Sequence, residues 1–280
     1  MKCATCGFAV PPSERNCPAC SADAGFPNVR LASSSSEQRA LAKRVQDAEV
    51  SSKASGALDV LVAFGRAVET SKTVMARSLN VIHDLVKSDN ALYVNYYKQV
   101  RSGARIPEQN AWDAGRTAAD STVSPYYFEE LNLGALTLDG RGVASFGPYS
   151  IVFQDRTIER RSTVFEENPF EFCRRHRISA GQQAPLGYRA IWDERGKLAM
   201  AKLHMRLKRG MQPAEFPGIL LRNRLTSVEE DFIEVHIYGP IHRSAIERVI
   251  GPKPSRGAEL YVWRSVEASL KRQGAKLEAI

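Results

Sequence analysis

A chain of 280 residues with 43% hydrophobic and 25% charged residues holds enough apolar material for one sizeable core plus a small appendage, or for two modest domains. No apolar run approaches the roughly 18 residues a membrane span requires, and no leader precedes the first cysteines, so the expectation is a cytosolic, cytoplasmic protein with no membrane partner. The formal charge of +8 points toward an anionic partner, nucleic acid first, although Lys and Arg spread over solvated faces give the same total.

Four of the five cysteines stand at the N-terminus as Cys3-Ala-Thr-Cys6 and Cys17-Pro-Ala-Cys20. Each Cys-x-x-Cys turn presents two thiolates to one ion, and two such turns complete the four-sulfur tetrahedron of a structural zinc. Two disulfides in a secreted mini-domain are the competing reading, disfavoured because no further cysteine pairs follow. Residues 1–26 resemble the small zinc ribbons at the front of many bacterial proteins. That likeness implies a closed site with Cys3, Cys6, Cys17 and Cys20 as metal ligands and no open coordination position for chemistry.

Residues 27–36 read as a linker, with a serine run that ends in helix-capping signals, Ser34 before Glu37 and Ser35 before Gln38. A helical region is expected over 37–123. Between Glu37 and Lys87 apolar residues recur at three and four, through Leu58, Leu61, Val68, Met75, Leu79, Ile82 and Val86, with Lys72 interrupting the seam. Such a region forms a hairpin packed on its own domain, or an arm for homo-oligomerisation or partner binding. Shorter helices are expected over Ala91–Arg101 and Glu108–Ala119.

From Ser124 the pattern turns to short apolar runs bounded by Gly, Pro, Asn and Asp, which predicts an α+β domain over 124–280. Expected strands are Ala135–Asp139, Tyr149–Phe153, Ser162–Phe165 and Phe232–Tyr238, with helices at Pro169–Arg177, Leu198–Lys208 and Ser244–Val249. In the last strand, period-two alternation puts Ile233, Val235 and Ile237 on one face and Phe232, Glu234, His236 and Tyr238 on the other. An acid and an imidazole between two rings suit a site, and a solvated edge-strand face shows the same alternation. Cys173 reads as a small buried apolar residue, and His176 and His204 as surface residues.

The order Leu-Asp-Gly-Arg141-Gly, Phe-Gly-Pro-Tyr-Ser-Ile-Val-Phe153, Arg161-Ser162-Thr163, Ala-Lys-Leu203 and Glu234-Val-His-Ile-Tyr-Gly-Pro-Ile241 resembles bacterial ADP-ribosyltransferase-like toxin domains. The likeness covers about 124–252 and implies NAD as co-substrate beside the structural zinc. Carried over by position, it implies Arg141 or Arg161 on the bound NAD, Ser162 and Thr163 shaping the pocket, and Glu234 touching the nicotinamide ribose, with His236 beside it as substrate-orienting group or proton acceptor. Phe232 stands where arginine-modifying members carry a second Glu, so the implied acceptor is a nucleic acid, RNA or DNA, or another protein side chain. A toxin or phage-defence effector with an antitoxin or chaperone partner fits this reading. The competing class is a non-catalytic zinc-ribbon protein that binds nucleic acid or acts as a scaffold.

Overall fold

The structure is a computed structural model that describes residues 1–103, 111–179, 181–223 and 230–280. It is a mixed α/β fold around an eight-stranded sheet, with a four-cysteine ribbon at the N-terminus. After the ribbon come α1 (Pro27–Ala32), α2 (Ser35–Ala54), α3 (Leu58–Glu69), β1 (Lys72–Arg77) and α4 (Leu79–Val86). Next are β2 (Leu92–Tyr93), α5 (Tyr96–Arg101), α6 (Ala111–Val123), β3 (Leu131–Thr137), β4 (Tyr149–Phe153), α7 (Asp155–Ile158) and β5 (Ser162–Phe165). The chain continues through α8 (Pro169–His176), β6 (Arg189–Ile191), α9 (Arg195–Leu203), α10 (Phe216–Leu220), β7 (Glu234–Tyr238), β8 (Ile241–His242), β9 (Ile246–Gly251), α11 (Gly257–Arg272) and β10 (Lys276–Ala279).

The strand order is β10-β9-β4-β1-β3-β7-β5-β6, antiparallel except for the parallel β9–β10 pair at one edge. β7 lies between β3 and β5, so its side chains are flanked on both sides. One face carries Met75, Leu136, Ile151, Val164, Val235 and Ile237 into the main core, which α3, α4, α9 and α11 complete through Phe64, Ile82, Leu198 and Trp263. The opposite face is smaller and more polar. There Phe165 packs with Val123 of α6 and Phe172 of α8, while Val74, Ala135 and Phe232 form a separate cluster. Among the described residues, no helix is long and apolar enough to cross a membrane.

Several expectations change. The 27–36 linker is largely α1, opened by Pro27, whose missing N–H costs nothing in a first turn. Ser34 does cap α2, accepting from the Glu37 N–H. The 37–87 run is not continuous helix: Gly56, at φ +69°, ends α2, and Lys72–Arg77 is a strand in the middle of the sheet. Thr73, Val74, Met75 and Ala76 are buried on both faces there, an environment that favours a strand over the helical spacing of the surrounding residues. Lys72 interrupts the seam because it opens β1 and pairs with Asp155 and Glu247. Because β1 sits between β3 and β4, the 37–123 and 124–280 segments share one sheet.

Ala91–Arg101 shortens to α5 because Leu92–Tyr93 pairs with β8, and Asn95 then caps α5 through the Lys98 N–H. Of the helix expected over Glu108–Ala119, residues 108–110 lie outside the described residues, and the remainder is α6. Of Ser244–Val249, read as helix, Ser244 and Ala245 form part of a 3-10 turn and the rest is β9, where Ile246, Val249 and Ile250 are buried beside β4. The strands expected at Tyr149–Phe153 and Ser162–Phe165 form with those bounds.

Candidate functional site

The ribbon consists of two copies of one turn, 14 residues apart in sequence. Cys3 N–H donates to Phe8 O and Gly7 N–H to Cys3 O; in the second copy Cys17 N–H donates to Ala22 O and Ser21 N–H to Cys17 O. Gly7 (φ +74°) and Ser21 (φ +59°) hold the same left-handed position. The four Sγ atoms converge within 4.8 Å of one another, with Cys3–Cys20 at 3.7 Å and Cys6–Cys17 at 3.5 Å. A tetrahedral zinc with Zn–S bonds of about 2.3 Å has sulfur–sulfur edges of about 3.8 Å, so the donor set fits that ion. The Cys6 and Thr5 N–H groups hold the Cys3 thiol down to about 6. The Ala22 N–H acts in the same sense on Cys20, but the neighbouring Cys6 sulfur, burial and the other two cysteines push it up to about 12. Packed thiols resist multiple ionisation, and a bound cation relieves that repulsion.

The second cluster lies on the polar face of β7. Glu234 and His236 are each almost fully buried, and His236 Nε2 lies 2.8 Å from Glu234 Oε1. The sheet register supplies their neighbours: Glu234 is flanked by Ala135 and Phe165, and His236 by Leu133 and Thr163. Phe165 stacks on the His236 ring at 5.6 Å. Burial pushes the Glu234 carboxyl above its ordinary range, and the His236 hydrogen bond opposes that shift.

Asp120 and Arg116 of α6 are the next charged groups felt by Glu234. Arg116 Nε donates to Asp120 Oδ2 at 3.4 Å, and Tyr97 Oη donates to the same oxygen at 2.5 Å. Burial works against the Arg116 charge, but Asp120, then Tyr97 and Glu234, more than compensate and hold the guanidinium protonated. Its side chain is 38% exposed, against 9% for Asp120, so Arg116 links the buried acid to the surface. The Arg116/Asp120 spacing of four is that of an in-helix ion pair; their electrostatic influence on Glu234 could not be read from the sequence, because it depends on how α6 packs on the sheet.

The residues expected around the NAD do not converge. Thr163 shares the His236 face, whereas Ser162 pairs with Ile237 and points into the apolar core, its Oγ buried without a hydrogen-bond partner. Successive strand residues face opposite ways, so a Ser-Thr pair cannot line one pocket here. Arg161 Nη1 donates to Tyr238 O and Pro240 O, and its Nε to Thr157 O, which ties the guanidinium to backbone. Arg141 is exposed in the turn after β3, where its N–H donates to Asp139. Other basic residues also have partners: Arg174 pairs with Glu171, and Arg175 with Glu166 and Glu167.

Asn28 carried no sequence signal because it lay in the presumed linker. It is 2% exposed, and its Nδ2 donates to Arg161 O (3.0 Å) and His236 O (3.1 Å), reaching Thr163 Oγ1 at 3.4 Å. No protein-family model matches the chain, and no curated protein matches it in sequence.

Proposed function

We propose that this chain is an NAD-dependent ADP-ribosyltransferase fronted by a structural zinc ribbon, with Glu234 as the carboxylate that acts on the nicotinamide ribose. The hydrogen-bonded pair of an acid and an imidazole on one face of β7 is the observation that carries this reading. Cleavage of the bond between nicotinamide and ribose sends its electron pair to the ring nitrogen and builds positive charge on the anomeric carbon. An ionised Glu234 stabilises that charge across a site of low dielectric. A nucleophilic atom of the acceptor then bonds to the anomeric carbon and loses its proton to solvent, nicotinamide having left with the electron pair of the broken bond, while His236 orients the carboxylate through Nε2. Arg116, partly exposed and close enough to influence Glu234, is the cation assigned to the pyrophosphate, in preference to the backbone-bound Arg161.

The ribbon holds zinc through its four cysteines as a closed structural site. With a charge of +8 the acceptor class that fits best is nucleic acid, and an effector of this kind calls for a neutralising antitoxin or chaperone. A second reading, a non-catalytic zinc-ribbon scaffold, draws on the structural use of Arg161 and the inward turn of Ser162. Release of nicotinamide from NAD by the zinc-loaded chain separates the two: the enzyme releases it and Glu234→Gln does not. Equal, background-level release by both would favour the scaffold.

A further inference from the structure

We infer that the N-terminal ribbon is a positioning module for β7, in which Asn28 sets the backbone under the His236–Glu234 pair and Arg30 makes that setting depend on the metal-bound form of the ribbon. The inference rests on the zinc half of the proposed function and is independent of the NAD half.

Two side chains of α1 carry it. Among the described residues, Arg30 donates into the ribbon and the chain leaving it: Nη1 to Glu14 O (2.7 Å), Gly25 O (2.9 Å) and, more weakly, Ala24 O (3.4 Å), and Nη2 to Pro11 O (3.1 Å) and Pro12 O (3.0 Å). These carbonyls belong to segments whose mutual placement is set by the two cysteine turns. Asn28, two residues earlier, faces the sheet and joins a carbonyl of β7, His236 O, to Arg161 O at the entry of β5. Its Oδ1 is buried without a hydrogen-bond partner, so the amide is held by its donor end, and a reversed amide would set oxygen against those carbonyls. Phe26 adds a third contact, its ring 5.7 Å from that of Tyr238 and covered by the Arg15 guanidinium at 4.3 Å.

A six-residue helix has too few internal hydrogen bonds to hold its own place, so α1 sits where the ribbon on one side and the sheet on the other put it. The ribbon, with Cys3, Val10 and Cys17 as its buried residues, has too small a core to stay folded without a crosslink or a metal. Loss of the metal should therefore free the carbonyls that Arg30 grips, loosen α1, and release the amide that fixes His236.

The test uses the full chain, its zinc content measured, with amide exchange followed along β7 and, as an internal reference, along β9 at the other side of the sheet. In wild type, chelation should raise β7 exchange by about tenfold or more while β9 changes little. Asn28→Ala should retain its zinc yet shift the His236 ring resonances and speed β7 exchange without chelator. Arg30→Ala should also retain zinc, and chelation should then no longer alter β7. If chelation unravels the ribbon amides but leaves β7 exchange and the His236 resonances unchanged, the coupling is refuted. A chain that neither contains nor takes up zinc would sink the metal reading, while unshifted His236 resonances in Asn28→Ala would sink the positioning role on their own.

Discussion

Glu234 and His236 share a 2.8 Å hydrogen bond because a strand returns to the same face every second residue, and both side chains are buried where β7 runs between β3 and β5. Removing either partner leaves the other buried without its hydrogen-bond partner. His236→Ala and Glu234→Ala should each destabilise the fold by about 3 kcal/mol, and the double variant by clearly less than the sum. Denaturant melts of the four proteins check this. Strict additivity would mean the pair is not coupled.

The ribbon allows a substitution that improves it. Ser21 holds the left-handed conformation that Gly7 holds in the other turn, and a side chain is strained there. Ser21→Gly should strengthen zinc retention against a competing chelator by roughly fivefold, equivalent to about 1 kcal/mol. Cys20→Ser should lose the ion altogether. Weaker retention in Ser21→Gly would show that the Ser21 side chain contributes something the backbone geometry does not reveal.

Glu167 gives stability a definite pH dependence. Burial pushes its carboxyl from 4.5 to about 7 against the Arg175 and Lys202 charges, and its side chain is 13% exposed. A carboxyl raised on folding stabilises most below its unfolded value, and that contribution is lost as pH rises through about 7. Glu167→Gln should therefore gain on wild type between pH 4.5 and pH 8 by up to about 3 kcal/mol. Unfolding free energies at those two pH values suffice, and a gap that narrows with rising pH would contradict the assignment.

Close approach of α3 and α9 rests on glycines. A Cβ at Gly196 would lie 2.6 Å from the Gly65 carbonyl oxygen, whereas one at Gly65 would meet Met200 Sδ, a yielding side chain, at 2.5 Å. Gly196→Ala should cost about 1–3 kcal/mol, and Gly65→Ala clearly less, since Met200 can move and alanine favours the helix. Chemical denaturation of both variants measures the order.

The sequence was most readable where local chemistry and tertiary environment agree. The cysteine turns, the Ser34 cap, and the strands β4 and β5 follow from spacing, capping and β-branched runs. β1 and β9 were misread because Met75, seven residues after Val68 and four before Leu79, and the Ile246/Val249 pair satisfy a helical period as well as a strand, and only burial on both sides of a sheet decides between them. The alternation along β7 put Glu234 and His236 on one face correctly, but the roles assigned to Arg161 and Ser162 depended on partners far away in sequence. Asn28 and Arg116 were invisible as site residues for the same reason: the Asn28 hydrogen bond to His236 O and the electrostatic influence of Arg116 on Glu234 exist only once α1 and α6 are packed on the sheet.

The most direct test of the central claim is transfer of label from adenylate-labelled NAD to RNA, DNA and protein, comparing zinc-loaded wild type with Glu234→Gln. The account predicts label in one acceptor fraction, nucleic acid foremost, with wild type only. Folded, zinc-loaded protein that transfers no label and leaves NAD intact, or a Glu234→Gln variant as active as wild type, would contradict it.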